Sequence, residues 1–290
     1  YGDHRELPSC PQRSTANLVT VKLQFKQQQQ IQQSSQTQQE QQQVQTKIIE
    51  KVITGTLVNY VNIDSPSGEF YNFYQDFISE NDLRVEAATL KNNEESLLKG
   101  LDYIHSMGIM HRDIKPYNVC YDFENEKIKI IDFGLAEFYY PLQEHNVRVA
   151  SRVYKSPELL VNYKKYDYSL DLWSLGCILA ALVFQKDPFF HGKDNNDQLL
   201  KIIKILGTDD LFSYMDKYGV KLQGEIKQMV QDFPYYPKKS WRKLAVEKCN
   251  KELFDSDFVD FIDGLLCYDH QYRLTAREAM MMPWLDAVRE

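Results

Sequence analysis

The stretch H-R-D-I-K-P-Y-N, residues 111–118, decides the fold together with D-F-G, residues 132–134. Asp113 is the candidate general base of the first stretch. Asn118 lies five residues after Asp113, and Asp132 follows Asn118 by fourteen residues, so a short loop and a hairpin can bring both oxygen ligands to one Mg²⁺ cluster. H-R-D or D-F-G alone would be weak evidence. Their combined order and spacing predict a site for phosphoryl transfer.

The combined pattern resembles the catalytic and metal-binding signature of eukaryotic protein kinases. S-P-E, residues 156–158, stands where that family has A-P-E at the end of its activation segment. The resemblance implies that Asp171 accepts hydrogen bonds from the catalytic-loop backbone and that Arg273 pairs with Glu158. An ordinary helix cap and a surface ion pair are the alternative interpretations of these residues.

A closer resemblance, to the catalytic α subunit of casein kinase 2, rests on five further motifs. They are H-S-M-G-I-M-H-R-D (105–113), G-L-A-E-F-Y (134–139), N-V-R-V-A-S-R (146–152), P-F-F-H-G (188–192) and Y-D-H-Q-Y-R-L-T-A-R-E (268–278). The resemblance extends from about residue 97 to the end, is thinner over 48–96 and is nearly absent before 48.

This resemblance implies an α+β, protein kinase-like fold with a mainly helical C-terminal lobe and a reduced, β-rich N-terminal lobe. The implied activity is that of an acidophilic Ser/Thr kinase that uses Mg²⁺ with ATP or GTP and needs no phosphorylation of its activation loop. Acidic proteins are the implied substrates. A regulatory subunit is a further partner of the family, but its docking surface lies on the lobe where this chain departs most.

The resemblance also assigns roles to individual residues. Asp113, Lys115 and Asn118 are the implied catalytic residues, with Lys115 neutralising the transferring phosphoryl group. Asn118 and Asp132 are the implied Mg²⁺ ligands. Cys120 and Ile131 would lie under the adenine.

Three basic residues of the activation segment, Arg148, Arg152 and Lys155, are the implied readers of acidic residues in the substrate. Arginine can pair with a carboxylate through two hydrogen bonds, which favours this role. A solvated basic face is the alternative interpretation.

The N-terminal part departs from the family. We divide the chain into a divergent segment (1–26), a glutamine-rich low-complexity tract (27–47) and a kinase domain (48–290), with a remnant N-terminal lobe over 48–64 and the C-terminal lobe over 70–290. Thirteen of the nineteen residues from 27 to 45 are glutamine, a composition that cannot build a core. V-T-V-K, residues 19–22, resembles the V-A-I-K motif and makes Lys22 the candidate phosphate-pairing lysine, unless it only ends a surface strand. No G-x-G-x-x-G motif occurs.

Periodicity predicts two short strands over 48–62 and a helix over 70–83. Leu97, Leu98, Leu101 and Ile104 indicate a second helix that leads into the catalytic loop. The polar run K-N-N-E-E-S, residues 91–96, lies between these helices. A helix buried in the main lobe should not be polar on every face, so we expect an insertion or a bulge there.

Composition indicates an intracellular protein, cytoplasmic or nuclear. A net charge of −7 argues against general nucleic-acid binding, and the five cysteines form neither a C-x-x-C pair nor a disulfide framework. The longest apolar run, residues 172–184, is shorter than the roughly 20 residues that cross a bilayer, so we expect a buried core helix and no membrane partner.

Two alternatives to an active kinase remain at the level of sequence. The chain could be a catalytically impaired pseudokinase that serves as an interaction module, or a truncated or misassembled gene product. The missing glycine-rich loop is the feature that separates these alternatives from an active enzyme, because that loop covers the nucleotide phosphates.

Overall fold

The computed structural model describes residues 87–122, 127–222, 227, 234–247 and 249–288. Our predictions for Lys22, the glutamine-rich tract, the strands over 48–62 and the helix over 70–83 lie outside these residues. The described part is mainly helical and carries two small antiparallel sheets, as predicted for the C-terminal lobe.

The first described helix, α1 (Ala87–Ser106), leads into the catalytic loop. Leu97, Leu98, Leu101 and Ile104 recur at helical spacing and are fully buried, which confirms the helix predicted over this part of the chain. Strand β1 (Ile109–Met110) follows directly after the helix.

The insertion predicted over residues 91–96 is wrong, because α1 continues through this polar run. The helix packs on a strand on one side and on a C-terminal helix on another, so the rule of a single apolar stripe does not apply to it. Glu95 is 6% exposed and its carboxylate lies 3.4 Å from the ammonium of Lys99. The ammonium of Lys91 lies 5.1 Å from the ring centre of Trp284. Two side chains of this run, those of Lys91 and Glu95, thus find partners while the helix stays continuous.

Two pairs of strands frame the catalytic loop. Strands β2 (Val119–Asp122) and β3 (Lys127–Ile130) form an antiparallel hairpin in which Val119 is opposite Ile130. Strand β4 (Glu137–Phe138) pairs with β1. The hairpin predicted between Asn118 and Asp132 is therefore confirmed.

Seven further helices follow in the described part of the chain. They are α2 (Pro157–Leu160), α3 (Ser169–Val183), α4 (Asn195–Leu206), α5 (Asp209–Lys217), α6 (Trp241–Glu247), α7 (Ser256–Leu265) and α8 (Ala276–Met280). Their starts follow from local sequence. Asp194 and Asp255 cap α4 and α7 by accepting backbone N–H groups, and Thr275 with Glu278 forms a capping box on α8.

Helix α3 is the centre of the core, and every one of its residues is buried. This confirms the buried core helix that the apolar run predicts. Gly176 allows α3 to approach the end of α7 closely, since a Cβ atom at this position would lie 2.8 Å from the Leu266 side chain. Among the described residues, no helix combines the length and the apolar character that crossing a membrane requires.

Candidate active site

Asp171, in the first turn of α3, holds the catalytic loop in place. Its carboxylate accepts the backbone N–H groups of His111 (2.9 Å) and Arg112 (2.8 Å), and a ring nitrogen of His105 lies 2.9 Å from it. Burial alone would raise the pKa of Asp171, but the contacts with His105 and His111 outweigh burial and lower it. The predicted role of Asp171 is confirmed, and an ordinary helix cap does not describe it.

His111 connects the catalytic loop to the D-F-G segment. Its side chain is fully buried, with Nε2 2.9 Å from the carbonyl oxygen of Ile131 and Nδ1 accepting the backbone N–H of Asp113. Burial lowers the pKa of His111 in spite of the nearby Asp171, which favours the neutral ring. Phe133 packs edge-on against this ring at 4.9 Å and is itself buried. His111 thus joins the two loops through two contacts.

The Asp113 carboxylate is held by three other residues. Its Oδ2 accepts from Lys115 Nζ (2.5 Å) and from Asn118 Nδ2 (3.2 Å), while its Oδ1 accepts the N–H (3.0 Å) and the hydroxyl (3.1 Å) of Ser151. The Asp113 side chain is only 8% exposed. Four contacts fix the orientation of a group that general-base catalysis would need fixed.

Asn118 and Asp132 have the chemistry of magnesium ligands. Both amide hydrogens of Asn118 go to Asp113, one to the backbone oxygen at 2.8 Å and one to Oδ2, so the amide oxygen is the atom that can coordinate a cation. The Asp132 carboxylate is exposed, and its Oδ1 accepts the Gly134 N–H at 3.2 Å. The Asp132 backbone has φ 62°, in the left-handed region. Hard oxygen donors of this kind fit Mg²⁺.

The predicted adenine-facing residues are adjacent in the chain to the candidate ligands. Cys120 follows Asn118 by two residues and is 8% exposed. Burial raises the pKa of its thiol, which keeps the side chain neutral and suited to an apolar surface. Ile131 directly precedes Asp132, is partly buried, and donates its backbone N–H to the carbonyl of Asn118 at 3.0 Å. Their contact with a nucleotide stays a prediction.

The three basic residues of the activation segment occupy different environments. Arg148 is exposed, and its backbone N–H is bonded to the side chain of Asn146. Arg152 is also exposed, and its guanidinium donates to the carbonyl oxygen of Lys193. Lys155 is only 9% exposed, and its ammonium donates to the carbonyl oxygen of Val149. The structure therefore gives the two arginines a surface position and buries the lysine.

Arg112 has an in-chain carboxylate partner that the sequence analysis missed. Its guanidinium donates to Glu137, to the Tyr166 hydroxyl (3.1 Å) and, through Nε, to the Leu135 carbonyl (2.7 Å). His145 lies 3.4 Å from the same Glu137 carboxylate. Burial works against the charge of Glu137, but His145 and Arg112 outweigh it and lower the pKa of Glu137. Glu137 stands in the motif at 134–139, but no spacing rule links it to Arg112.

Ser151 is the second functional residue that sequence reasoning missed. It belongs to the motif at 146–152, yet its contact with Asp113 spans 38 residues and is visible only in the fold. The preceding Ala150 has φ 61°, a conformation that alanine rarely adopts. Strain of this kind is tolerated where surrounding contacts fix the backbone, and the next residue, Ser151, makes two hydrogen bonds to Asp113.

The end of the activation segment is tied to the core by the predicted ion pair. Arg273 donates to both carboxylate oxygens of Glu158, at 2.8 and 3.0 Å, and both side chains are fully buried. The burial of Glu158 would raise its pKa, but the charge of Arg273 and its hydrogen bonds lower it. The pairing prediction is confirmed, and the alternative of a surface ion pair is wrong.

The buried Asp113 carboxylate, the neighbouring Lys115 and the side-chain oxygens of Asn118 and Asp132 on separate loops have the arrangement expected of a protein kinase site. A family model of the protein kinase domain matches residues 2–285, and the chain belongs to that family. The match confirms the predicted fold class. Protein kinases generally use ATP and Mg²⁺, which agrees with the donor set of Asn118 and Asp132.

Proposed function

We propose that this protein is a Ser/Thr kinase that transfers the γ-phosphate of ATP, or of GTP, to hydroxyls followed by acidic residues. The observation that carries the proposal is the assembled environment of Asp113. Its Oδ1 already accepts a hydrogen bond from a serine hydroxyl, that of Ser151, at 3.1 Å. A substrate Ser or Thr would offer the same chemical group to the same carboxylate.

Each residue of the site has a distinct role in this proposal. Asp113 orients the substrate hydroxyl and accepts its proton, and Lys115 neutralises negative charge at the transferring group. Asn118 and Asp132 would hold Mg²⁺, which when bound neutralises charge on the phosphate oxygens. The ion pair of Asp113 with Lys115 and the hydrogen bond that Asn118 donates to Asp113 keep these groups together before substrate arrives.

The Arg112 contacts support activity without phosphorylation of the activation segment. In kinases that depend on such phosphorylation, a phosphate on the segment orders it by pairing with arginines. Here the Glu137 carboxylate of the same chain pairs with Arg112. Tyr166, which also contacts Arg112, donates its hydroxyl to the Asn146 carbonyl at 2.5 Å. A complete and tied-down catalytic loop favours an active kinase over a protein that only mediates interactions.

The preference for acidic substrates rests on the exposed arginines. Ser151 contacts the base directly, so Arg148 and Arg152, three residues before it and one after it, lie close to where a substrate must bind. Exposed ion pairs contribute roughly 0.2–1 kcal/mol each, so several must act together. Their contribution should fall with added salt.

Phosphate transfer to a matched peptide series tests the proposal. The peptides differ only in the target residue (Ser, Thr or Tyr) and in the residues after it (acidic, neutral or basic). We expect the full chain to prefer Ser or Thr followed by acidic residues. Changing Arg148 and Arg152 together to Glu should lower kcat/KM for the acidic peptide by one to two orders of magnitude, at about 1.4 kcal/mol per tenfold. A wild-type preference for tyrosine or for basic peptides would contradict the proposal.

A further inference from the structure

Lys155 lies at the closing point of a short loop that begins at Val149. Its ammonium donates to the Val149 carbonyl, and the side chain is 9% exposed. Burial lowers the pKa of Lys155, and the nearby Asp113 opposes this shift without cancelling it. A buried ammonium needs partners, and the carbonyl of Val149 is one that it reaches. A reader of substrate carboxylates would instead present its ammonium to solvent.

The loop that Lys155 closes carries the group that contacts the base. Val149 is buried in a small cluster and anchors the start of the loop. The Tyr154 N–H donates to the Ser151 carbonyl at 2.9 Å, and the Lys155 N–H donates to the Arg152 carbonyl at 3.2 Å. Between these anchors Ser151 donates its N–H and its hydroxyl to Asp113.

We propose that Lys155 is a positioning residue for the catalytic base: by tying the Val149 carbonyl to the far end of the loop, it holds Ser151 against Asp113. This inference rests on the proposed role of Asp113 and replaces the expectation that Lys155 reads substrate. The left-handed backbone of Ala150 supports it, because a strained conformation relaxes when the contacts around it are removed. Lys155 thus acts on chemistry through Ser151 and needs no contact with substrate.

Amide hydrogen exchange on the full chain tests the positioning role without any turnover. In Lys155→Met we expect the Ser151 amide to exchange about tenfold faster than in wild type, because its hydrogen bond to Asp113 opens more often. Lys155→Arg keeps a donor and should retain most of the protection. Lys164→Met is the matched control, since this exposed lysine pairs only with the exposed Glu144 in the contacts shown for it, and its removal should leave the Ser151 amide unchanged.

Two exchange results would overturn the proposal. One is unchanged protection of Ser151 in Lys155→Met. The other is a loss of protection that spreads to helix α3 to the same degree, since Lys155 would then support only the fold.

Steady-state kinetics separates positioning from substrate reading. We expect Lys155→Met to lower kcat by about tenfold on an acidic and on a neutral peptide alike, with KM little changed, and Lys155→Arg to recover most of this loss. A raised KM confined to the acidic peptide would show that Lys155 reads substrate and would overturn the proposal. If the wild type transfers no phosphate to any peptide, the proposed function fails, and the exchange measurement still decides whether Lys155 holds the loop.

Discussion

The buried ion pair between Arg273 and Glu158 allows a quantitative prediction. Replacing Arg273 by Met removes two hydrogen bonds to Glu158 and three further bonds. The three further acceptors are the Ser169 carbonyl (2.9 Å), the Ser169 hydroxyl (3.4 Å) and the Cys267 carbonyl (3.1 Å). Both charged side chains are fully buried, so the variant leaves an uncompensated carboxylate in the core. Breaking a buried pair in this way costs about 3–5 kcal/mol.

Urea and thermal unfolding of the full chain measure this loss. A domain of this size loses roughly 2–4 °C of Tm per kcal/mol, so we expect Arg273→Met to lower Tm by roughly 6–20 °C. Adding Glu158→Gln removes the stranded charge, and the double variant should therefore be no less stable than Arg273→Met alone.

The chain offers a control of the same residue type. Arg277 pairs with Asp102 at 3.0 Å, but its side chain is 63% exposed, so Arg277→Met should cost at most about 1 kcal/mol. Equal losses in Arg273→Met and Arg277→Met would refute the reasoning from burial.

Three other predictions concern single positions. Leu142 is 83% exposed, and its backbone has φ 64°, in the left-handed region. Leu142→Gly should therefore relieve backbone strain and raise the free energy of unfolding, measured by urea titration, by roughly 0.5–1 kcal/mol. A loss of stability would contradict strain at this position. Glu137→Gln removes the charge beside Arg112 and should lower kcat at unchanged nucleotide affinity, which a filter-binding assay run with the kinetics would check. The pKa of Glu158 is lower in the folded protein than its usual value of 4.5, so its stabilising contribution is complete above pH 4.5 and is lost as the pH falls through the folded-state pKa. The free energy of unfolding of wild type should therefore fall more steeply below pH 4.5 than that of Glu158→Gln. Parallel plots of unfolding free energy against pH would contradict this.

Local sequence signals predicted the parts of the fold whose determinants are close in the chain. The spacing of Asn118 and Asp132 predicted a hairpin, and the leucines from Leu97 onward predicted a helix, because strand pairing across a turn and helical periodicity are short-range properties. The family motifs also predicted the ion pair of Arg273 with Glu158, two residues that lie 115 positions apart in the chain.

Sequence could not reveal what tertiary packing decides. The polar run at 91–96 reads as an interruption by composition, but packing on more than one face keeps it helical. The environment of Lys155 differs from that of Arg148 only because Lys155 turns inward to the Val149 carbonyl. The contacts of Ser151 and Glu137 with the catalytic loop span 38 and 25 residues, and no local pattern encodes them.

Single-turnover phosphate transfer by Asp113→Asn is the most direct test of the proposed role of Asp113 as the general base. We predict that transfer to the preferred peptide falls by a factor on the order of 10²–10⁴, while Mg²⁺-dependent stabilisation by nucleotide remains, because Asp113 acts on the substrate hydroxyl. Asp132→Ala is the control, and it should lose the Mg²⁺-dependent stabilisation. Transfer by Asp113→Asn at the wild-type rate would contradict the account.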